Sequence, residues 1–318
     1  SALTTVKVEG GEVYFGAFSD CKNLIEIVLP EALTAIPERL FDGCSALKTI
    51  EIPRGVTTVG SFAFRNCGIE SITVPAAVLS IGTEAFLGCE ELIRVDITDL
   101  ESWINIRFSG GTANPLYYAG NLYVNGEILT DLIVPENIFS LGGWTFVNAV
   151  CLKSVTLHEN IAGVDREAFD GCVNIESIST VAEFVGTFPK NSLKYATVTN
   201  GELKDENTFA GADKLIKADL KGVTFIAEGT FERCASLTQI SLDCNALNFS
   251  LGKLFGKAEY DNSYAAEQGG EIYYLPVNLN KITVTGGVIS DNSFENMKEL
   301  GSVTLSDVKS IGNRAFAG

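Results

Sequence analysis

One phenylalanine recurs along this chain at nearly constant spacing, and that rhythm restricts the folds open to it more than any other feature. Phe18, Phe41, Phe64 and Phe86 are separated by 23, 23 and 22 residues. Phe146 and Phe169 are 23 apart, while Phe209 and Phe231, and Phe294 and Phe316, are 22 apart. Self-similarity at a fixed period of about 20–50 residues marks stacked repeats, and missing it misassigns the whole fold.

The neighbours of each Phe keep the same register. Five residues before it stands Val13, Ile36, Val59, Ile81, Leu141, Val164, Ile226, Ile289 or Ile311; only the copy at Phe209 breaks the rule, with Lys204. Four residues before it, Gly60, Gly82, Gly142 and Gly312 suggest a turn with positive φ. Three residues after it come Cys21, Cys44, Cys67, Cys89, Cys172 and Cys234. A leucine follows (Leu24, Leu47, Leu92, Leu215, Leu237, Leu300) and leads into runs such as Leu47 to Ile52, whose end alternates with period two, as a half-buried strand does. Pro30, Pro53, Pro75 and Pro135 close such runs, since a residue without an N–H ends a ladder. The stretch from Val56 to Cys67 reads as a tight or briefly helical return.

One unit of this kind cannot bury its own apolar side, but stacked units bury one another's. The expected fold is therefore a leucine-rich-repeat solenoid of 22–23-residue repeats, with short parallel β-strands on one face and turns or short helices on the other. With strands ~4.8 Å apart, about a dozen coils would make a rod or arc some 60 Å long. The segment from Ile81 to Leu92, Ile-Gly-Thr-Glu-Ala-Phe-Leu-Gly-Cys-Glu-Glu-Leu, resembles the signature of the BspA-like leucine-rich-repeat family. Asn114 to Glu127, and Leu251 to Gly256 with Tyr274 to Pro276 and Thr283 to Gly287, resemble longer variant repeats of that family. The resemblance covers nearly the whole chain and is weakest at about 180–208. It implies a bacterial protein, extracellular or at the cell surface, of a kind often described as an adhesin.

The expected organisation is one solenoid over 1–318, with insertions at about 98–135, 176–208 and 243–287 where the Phe spacing opens to 60, 40 and 63 residues. The ending Asn313 to Gly318 stops within a repeat, which reads as a piece cut from a longer protein. The chain opens Ser1-Ala2-Leu3 without Met and without a basic-then-apolar leader, so any secretion signal is expected to have been removed or to lie outside this stretch.

Insertions in solenoids usually bulge from one face and are the first places to seek binding. In the first, Asn125-Gly126 between apolar runs signals a two-residue hairpin turn. In the third, Glu259 to Gly270 reads as an exposed polar loop. Seven of the nine tyrosines lie in these two inserts, and Trp103 joins the first group. Trp103, Tyr117, Tyr118, Tyr260 and Tyr264 are therefore candidate ligand contacts, with Tyr260 and Tyr264 the pair expected to be exposed; the alternative is that these rings cover an interrupted edge of the core. Outward positions of the strand face supply the other candidates: Glu51, Thr73, Asp96, Thr156, Asp219 and Ser241.

The remaining chemistry is sparse. Twenty-three basic and forty acidic residues give a net charge of −17, which opposes nucleic acid and anionic lipid. The acidity is spread, and reads as solvated surface, with weak calcium affinity as the alternative. No stretch approaches the ~18 apolar residues of a membrane span, so no membrane insertion by this segment is expected. Six cysteines in register would stack as small apolar groups rather than bind zinc, because Cys-x-x-Cys pairs and neighbouring His are missing; Cys151 and Cys244 stand out of register and could be paired or free. The lone His158, where other copies place Pro, is expected at a strand end in solvent. Asn248-Phe249-Ser250 matches a glycosylation acceptor that a bacterial protein would leave unused. No cofactor and no catalytic set are expected. The function expected is a secreted or cell-surface interaction or adhesion module whose partner is a protein or glycan of the host or of neighbouring cells. A structural spacer displaying other domains is the alternative, and a glycan-acting enzyme stands further behind.

Overall fold

A computed structural model describes residues 2–247 and 249–318; the glycosylation motif begins at Asn248, outside the described residues. The chain divides into two compact units, Ser1–Lys153 with Ile161–Val173, and Ser154–Asn160 with Asn174–Gly318. Each is a parallel β-solenoid.

In the first unit, Thr5–Lys7 pairs in parallel with Glu26–Val28, and Ser71–Thr73 pairs with Arg94–Ile97, which pairs in turn with Leu122–Val124. A second ladder of two-residue strands precedes each corner: Ala35–Ile36, Thr58–Val59, Ser80–Ile81 and Arg107–Phe108. The side expected to hold turns or short helices thus carries strands as well as turns. The five-residue helix Leu100–Ile104 and the four-residue helix Leu116–Ala119 both lie in the first insert. In the second unit, Ser154–Thr156, Ser177–Thr180, Tyr195–Val198, Lys217–Leu220, Gln239–Asp243, Lys281–Thr285 and Ser302–Ser306 form one parallel ladder without a register slip.

The corner is where the repeat is specified. The Phe rings stack through the first unit at 5.8, 5.6 and 5.2 Å from Phe18 to Phe86, and Phe146 lies 5.6 Å from Phe169. In the second unit Phe209 lies 5.4 Å from Phe231 at 3°. Burying each ring is worth about 1.5–3 kcal/mol. Backbone bonds cross the same interface: Phe41 N donates to Ala63 O at 2.8 Å, and Phe64 N to Ala85 O at 2.8 Å.

The cysteines complete the corner. Cys44 Sγ donates to Phe18 O, Cys67 to Phe41 O, Cys89 to Phe64 O and Cys172 to Phe146 O, each at 3.0 Å, and Cys234 to Phe209 O at 3.1 Å. Each thiol therefore clips its coil to the corner Phe of the coil before, a role that pure apolar packing did not anticipate. All eight cysteines are free thiols; Cys151 and Cys244 are buried, and Cys244 donates to Val288 O at 2.9 Å. Burial pushes Cys44, Cys89, Cys172 and Cys234 up to about 12 and Cys67 well up.

Two turn residues flank each Phe, and here the expectation for glycine is corrected. Gly60, Gly82, Gly142 and Gly312 do not have positive φ. At three of them glycine is needed for space: a Cβ would meet Glu38 N at 2.5 Å from Gly60, Ser61 N at 2.6 Å from Gly82, and Asp291 Oδ1 at 2.4 Å from Gly312. Positive φ falls instead on both sides of the Phe: two residues before it at Gly16, Arg39, Phe62, Glu84, Trp144, Gly229, Asn292 and Arg314, and two residues after it at Asp20, Gly43, Asn66, Gly88, Asn148, Gly171, Gly211, Arg233, Asn296 and Gly318. Arg39, Phe62, Glu84, Trp144 and Arg314 before the Phe are not of types that tolerate the left-handed region, whereas the residues after it, apart from Arg233, are. Successive coils also complement one another there, because a Cβ on Gly88 would lie 2.3 Å from Asn66 Oδ1 and one on Gly171 would lie 1.8 Å from Asn148 Oδ1.

Other irregularities have local causes. Lys204 breaks the corner pattern because a bulge between Gly201 and Glu202 sets Leu203 opposite Ile226, so Leu203 takes the buried place. Pro30, Pro53, Pro75 and Pro135 each accept a bond from the N–H three residues on, at 2.9–3.1 Å, and so start a turn as well as ending a run. His158 is half-buried rather than in solvent.

Gly82→Ala is expected to destabilise the protein by about 1–3 kcal/mol, the usual range for overpacking. Gly142→Ala, where the nearest atom to a new Cβ is 3.7 Å away, should be close to neutral. Denaturant midpoints of the two variants test the difference; equal midpoints would refute the close-approach account. The thiols give a second expectation. They ionise near pH 9 when unfolded but hold their protons to about pH 12 in the stack, so unfolding releases protons above pH 9 and stability falls between about pH 9 and 12. The double variant Cys89→Ser/Cys172→Ser, which keeps a donor but removes the ionisation, should flatten that fall.

Candidate functional site

The first insert proves to be a coil that rebuilds the corner from side chains. Asp99 caps its helix, accepting from Ser102 N at 2.6 Å, and the helix delivers Trp103 to the core at 1% exposure. In regular coils the carbonyl before the corner Phe accepts from the preceding corner Phe N–H. Here that carbonyl, Thr145 O, accepts from the Trp103 indole at 3.1 Å and from Asn114 Nδ2 at 3.2 Å. Gly88 N donates to the Tyr118 hydroxyl at 2.9 Å, where the coil before sends Asn66 N to Leu87 O. Trp103 is thus buried in the stack, and the half-buried Tyr118 is tied to it through its hydroxyl. Tyr117 is 40% exposed, with its ring 5.1 Å from that of Tyr118. The Asn125-Gly126 hairpin forms as expected, joining Leu122–Val124 to Glu127–Ile128. Asn114, fully buried, is the functional scaffold residue that sequence reasoning missed.

The other inserts also fold into their units. In the second, Ser177 pairs with Tyr195, so the coil is eighteen residues long and omits the corner, with Phe184 and Phe188 buried in its place. In the third, Glu259 to Gly270 is not an exposed loop: Ser263–Gln268 pairs antiparallel with Glu271–Pro276 around Gly269-Gly270. Gln268 is buried, accepting from Gly252 N at 2.8 Å and donating to Glu295 O at 3.1 Å. Tyr260 and Tyr264 are half-buried, with hydroxyl oxygens shielded from solvent, and burial pushes both phenols up. They are not the exposed pair expected. Phe255 of this insert lies 6.3 Å from Phe231 and extends its column.

Besides Tyr117, the candidates that remain at the surface lie on the strand face. In the second unit Thr156, Ser179, Thr197, Asp219, Ser241, Thr283 and Thr304 occupy one row, each opposite the next. Three candidates, Thr156, Asp219 and Ser241, therefore share a polar ladder with ~4.8 Å steps. Lys221 Nζ stands 3.5 Å from Asp219. In the first unit Thr73 lies opposite Asp96. Asp96 is held by Arg94 through bonds of 2.6 and 2.7 Å, and the Arg94 guanidinium lies 3.9 Å from the centre of the Tyr123 ring.

Glu51 and Thr73 also line a groove of about 770 Å³ in the first unit, within the size range of ligand sites. It crosses the coils at Glu26 to Glu31, Thr49 to Arg54 and Thr73 to Ala77. Among the described residues, no backbone hydrogen bond joins Thr49 to Ile52 with the coil on either side. The alternation expected there holds in burial, with Ile50 and Ile52 inward, but no strand forms. The groove sits at this lapse in the ladder. Among the described residues no group of three or more His, Cys, Asp or Glu could hold a metal ion, and no helix is long and apolar enough to cross a membrane.

If the first insert is scaffold, Tyr118→Phe should destabilise the protein by about 1–3 kcal/mol by leaving the Gly88 N–H without its acceptor, whereas Tyr117→Phe should change little. Thermal melts of the two variants compare them directly, and an inert Tyr118→Phe would contradict the assignment.

The model of the BspA type leucine rich repeat region matches in six copies over residues 11–110, 120–204, 187–255 and 268–318. No curated protein matches the chain. Among solved structures, a leucine-rich repeat protein from Bacteroides ovatus is 20% identical, with 99% of this chain and 76% of that one covered and a TM-score of 0.41. One from Eubacterium ventriosum is 16% identical, covering 99% and 82%, at 0.39. A leucine rich cell surface protein from Faecalibacterium prausnitzii is 17% identical, covering 92% and 62%, at 0.32. With its repeats matched along most of their length, the chain belongs to the BspA type leucine-rich repeat family.

Proposed function

We propose that this chain is an extracellular or cell-surface interaction module that binds a protein or glycan of a host or neighbouring cell across its strand face. The observation that carries the reading is the division of labour between the two sides of each coil. The corner side is filled with Phe rings, thiol clips and turn residues, and the inserts spend Trp103 and Tyr118 on the same task. The strand side presents half-buried small polar groups in register from Thr156 to Ser241, able to hydrogen-bond an extended partner. Family membership is consistent with an interaction role. No catalysis is assigned to the chain in this reading.

The test is an array of glycans and extracellular-matrix proteins, probed with the chain and with the row variant Thr197→Arg/Ser241→Arg. Capture of at least one ligand, reduced by about tenfold or more when long charged side chains block the row, is the expected result. No capture above background on either array would remove the adhesion reading and leave the spacer.

A further inference from the structure

The groove in the first unit has a chemistry of its own, and the partner class it selects rests on the reading of the chain as an interaction module. Its rim carries Glu26, Glu31 and Glu51 against one basic residue, Arg54. Several other acids in the unit are matched: Asp42 with Arg65 at 2.6 Å, Glu70 with Lys48 at 3.3 Å, and Asp96 with Arg94 at 2.6 Å. Among the described residues none of the three groove glutamates is in an ion pair. Between them lies apolar surface, from Val28, which is 47% exposed, to Pro75 and Ala76.

We propose that this groove binds an extended peptide segment carrying basic side chains alternating with apolar ones. Three features select that occupant. The excess of unpaired carboxylates favours cations over neutral or acidic ligands, and complementary charge chiefly sets which partner is accepted. The Val28–Pro75 surface asks for apolar groups between those cations. The lapse at Thr49 to Ile52 leaves main-chain N–H and C=O groups unclaimed by neighbouring coils, and another main chain is the natural complement to such groups.

The experiment is fluorescence anisotropy on the intact chain with a short labelled peptide of alternating lysine and valine. Saturable binding is expected, weakening as salt rises, and none with glutamate in place of lysine. Glu26→Lys/Glu51→Lys should weaken binding by about tenfold or more, while Glu90→Lys/Glu91→Lys, an equal charge change at exposed positions outside the groove, should leave it within about twofold. The milder Glu31→Gln/Glu51→Gln provides the same comparison should the reversal disturb folding, which circular dichroism reports. Equal losses in the two Lys pairs would mean that the diffuse field of an acidic chain holds the peptide, and the groove assignment would fall. It would fall equally if the lysine probe failed to bind, or if β-linked glucan oligomers displaced it. A ligand found on the arrays and retained by Glu26→Lys/Glu51→Lys would leave the interaction reading standing and remove the basic peptide from this groove.

Discussion

The bond from the thiols of Cys44, Cys67, Cys89, Cys172 and Cys234 to the carbonyl of the preceding corner Phe is the contact around which these coils are built. It fixes two things together, the distance between coils and the direction of the chain as it leaves the corner, while burial keeps the thiol protonated. A thiol is a weak donor, and the carbonyl it reaches already accepts the backbone N–H three residues on, as from Cys21 N to Phe18 O at 3.2 Å and from Cys67 N to Phe64 O at 3.1 Å, so the thiol fills the second lone pair. The bond forms only if the chain turns sharply two residues after the Phe, and that is where the left-handed residues Asp20, Gly43, Asn66 and Gly88 lie. It also requires the next coil to approach closely before the Phe, which Gly60 and Gly82 permit by lacking a Cβ. In the coils around Phe64 and Phe86, Phe, Cys, Asn or Gly, and Gly thus work as one mechanical unit.

The inserts show the same constraint from the other direction. A coil that loses the Phe–Cys corner must still satisfy the polar groups its neighbours present. The first insert does so with the Trp103 indole, the Asn114 amide and the Tyr118 hydroxyl. The second shortens its coil and buries Phe184 and Phe188, and the third brings in Phe255. Aromatic residues concentrate in inserts here because a broken ladder needs large side chains with a polar end. Clustered Tyr and Trp in a solenoid insert are therefore an ambiguous sign of binding.

Much of this was legible in the residues, and the failures have physical causes. The Phe, Cys and apolar registers identified the solenoid because burial leaves a period. One positive-φ site is equally periodic, as Asp, Gly or Asn two residues after nine of the ten corners, but the turn expectation fell on the wrong glycines; the other, two residues before eight corners, holds residues as unlike as Phe62, Glu84 and Trp144 and so leaves no signal. A glycine in a repeat can signal either conformation or close approach, and only the neighbouring coil distinguishes them. Asn114 carries no periodic signal, since it serves one irregular coil. Tyr260 and Tyr264 looked exposed because Glu259 to Gly270 is polar, yet that polarity belongs to a hairpin whose other face is buried. The groove was invisible for a different reason: Leu47 to Ile52 has the same alternation as its neighbours, and nothing in it foretells missing hydrogen bonds.

A groove can exist in so regular a fold because register is held elsewhere in the coil. In a lone sheet, losing the ladder along one strand would cost register as well as bonds. Here the coil from Leu47 to Val59 is fastened at both ends of the lapse. Glu70 N donates to Lys48 O on one side, while Thr57 N donates to Thr34 O and Gly60 N to Ile36 O on the other. The corner beyond adds the Cys67 clip and the Phe41–Phe64 stack. Register is set by the corner and the second ladder, so the strand face is free to open without unfolding the stack. Function on such a scaffold is then expected where the ladder is expendable, on the side opposite the cysteines.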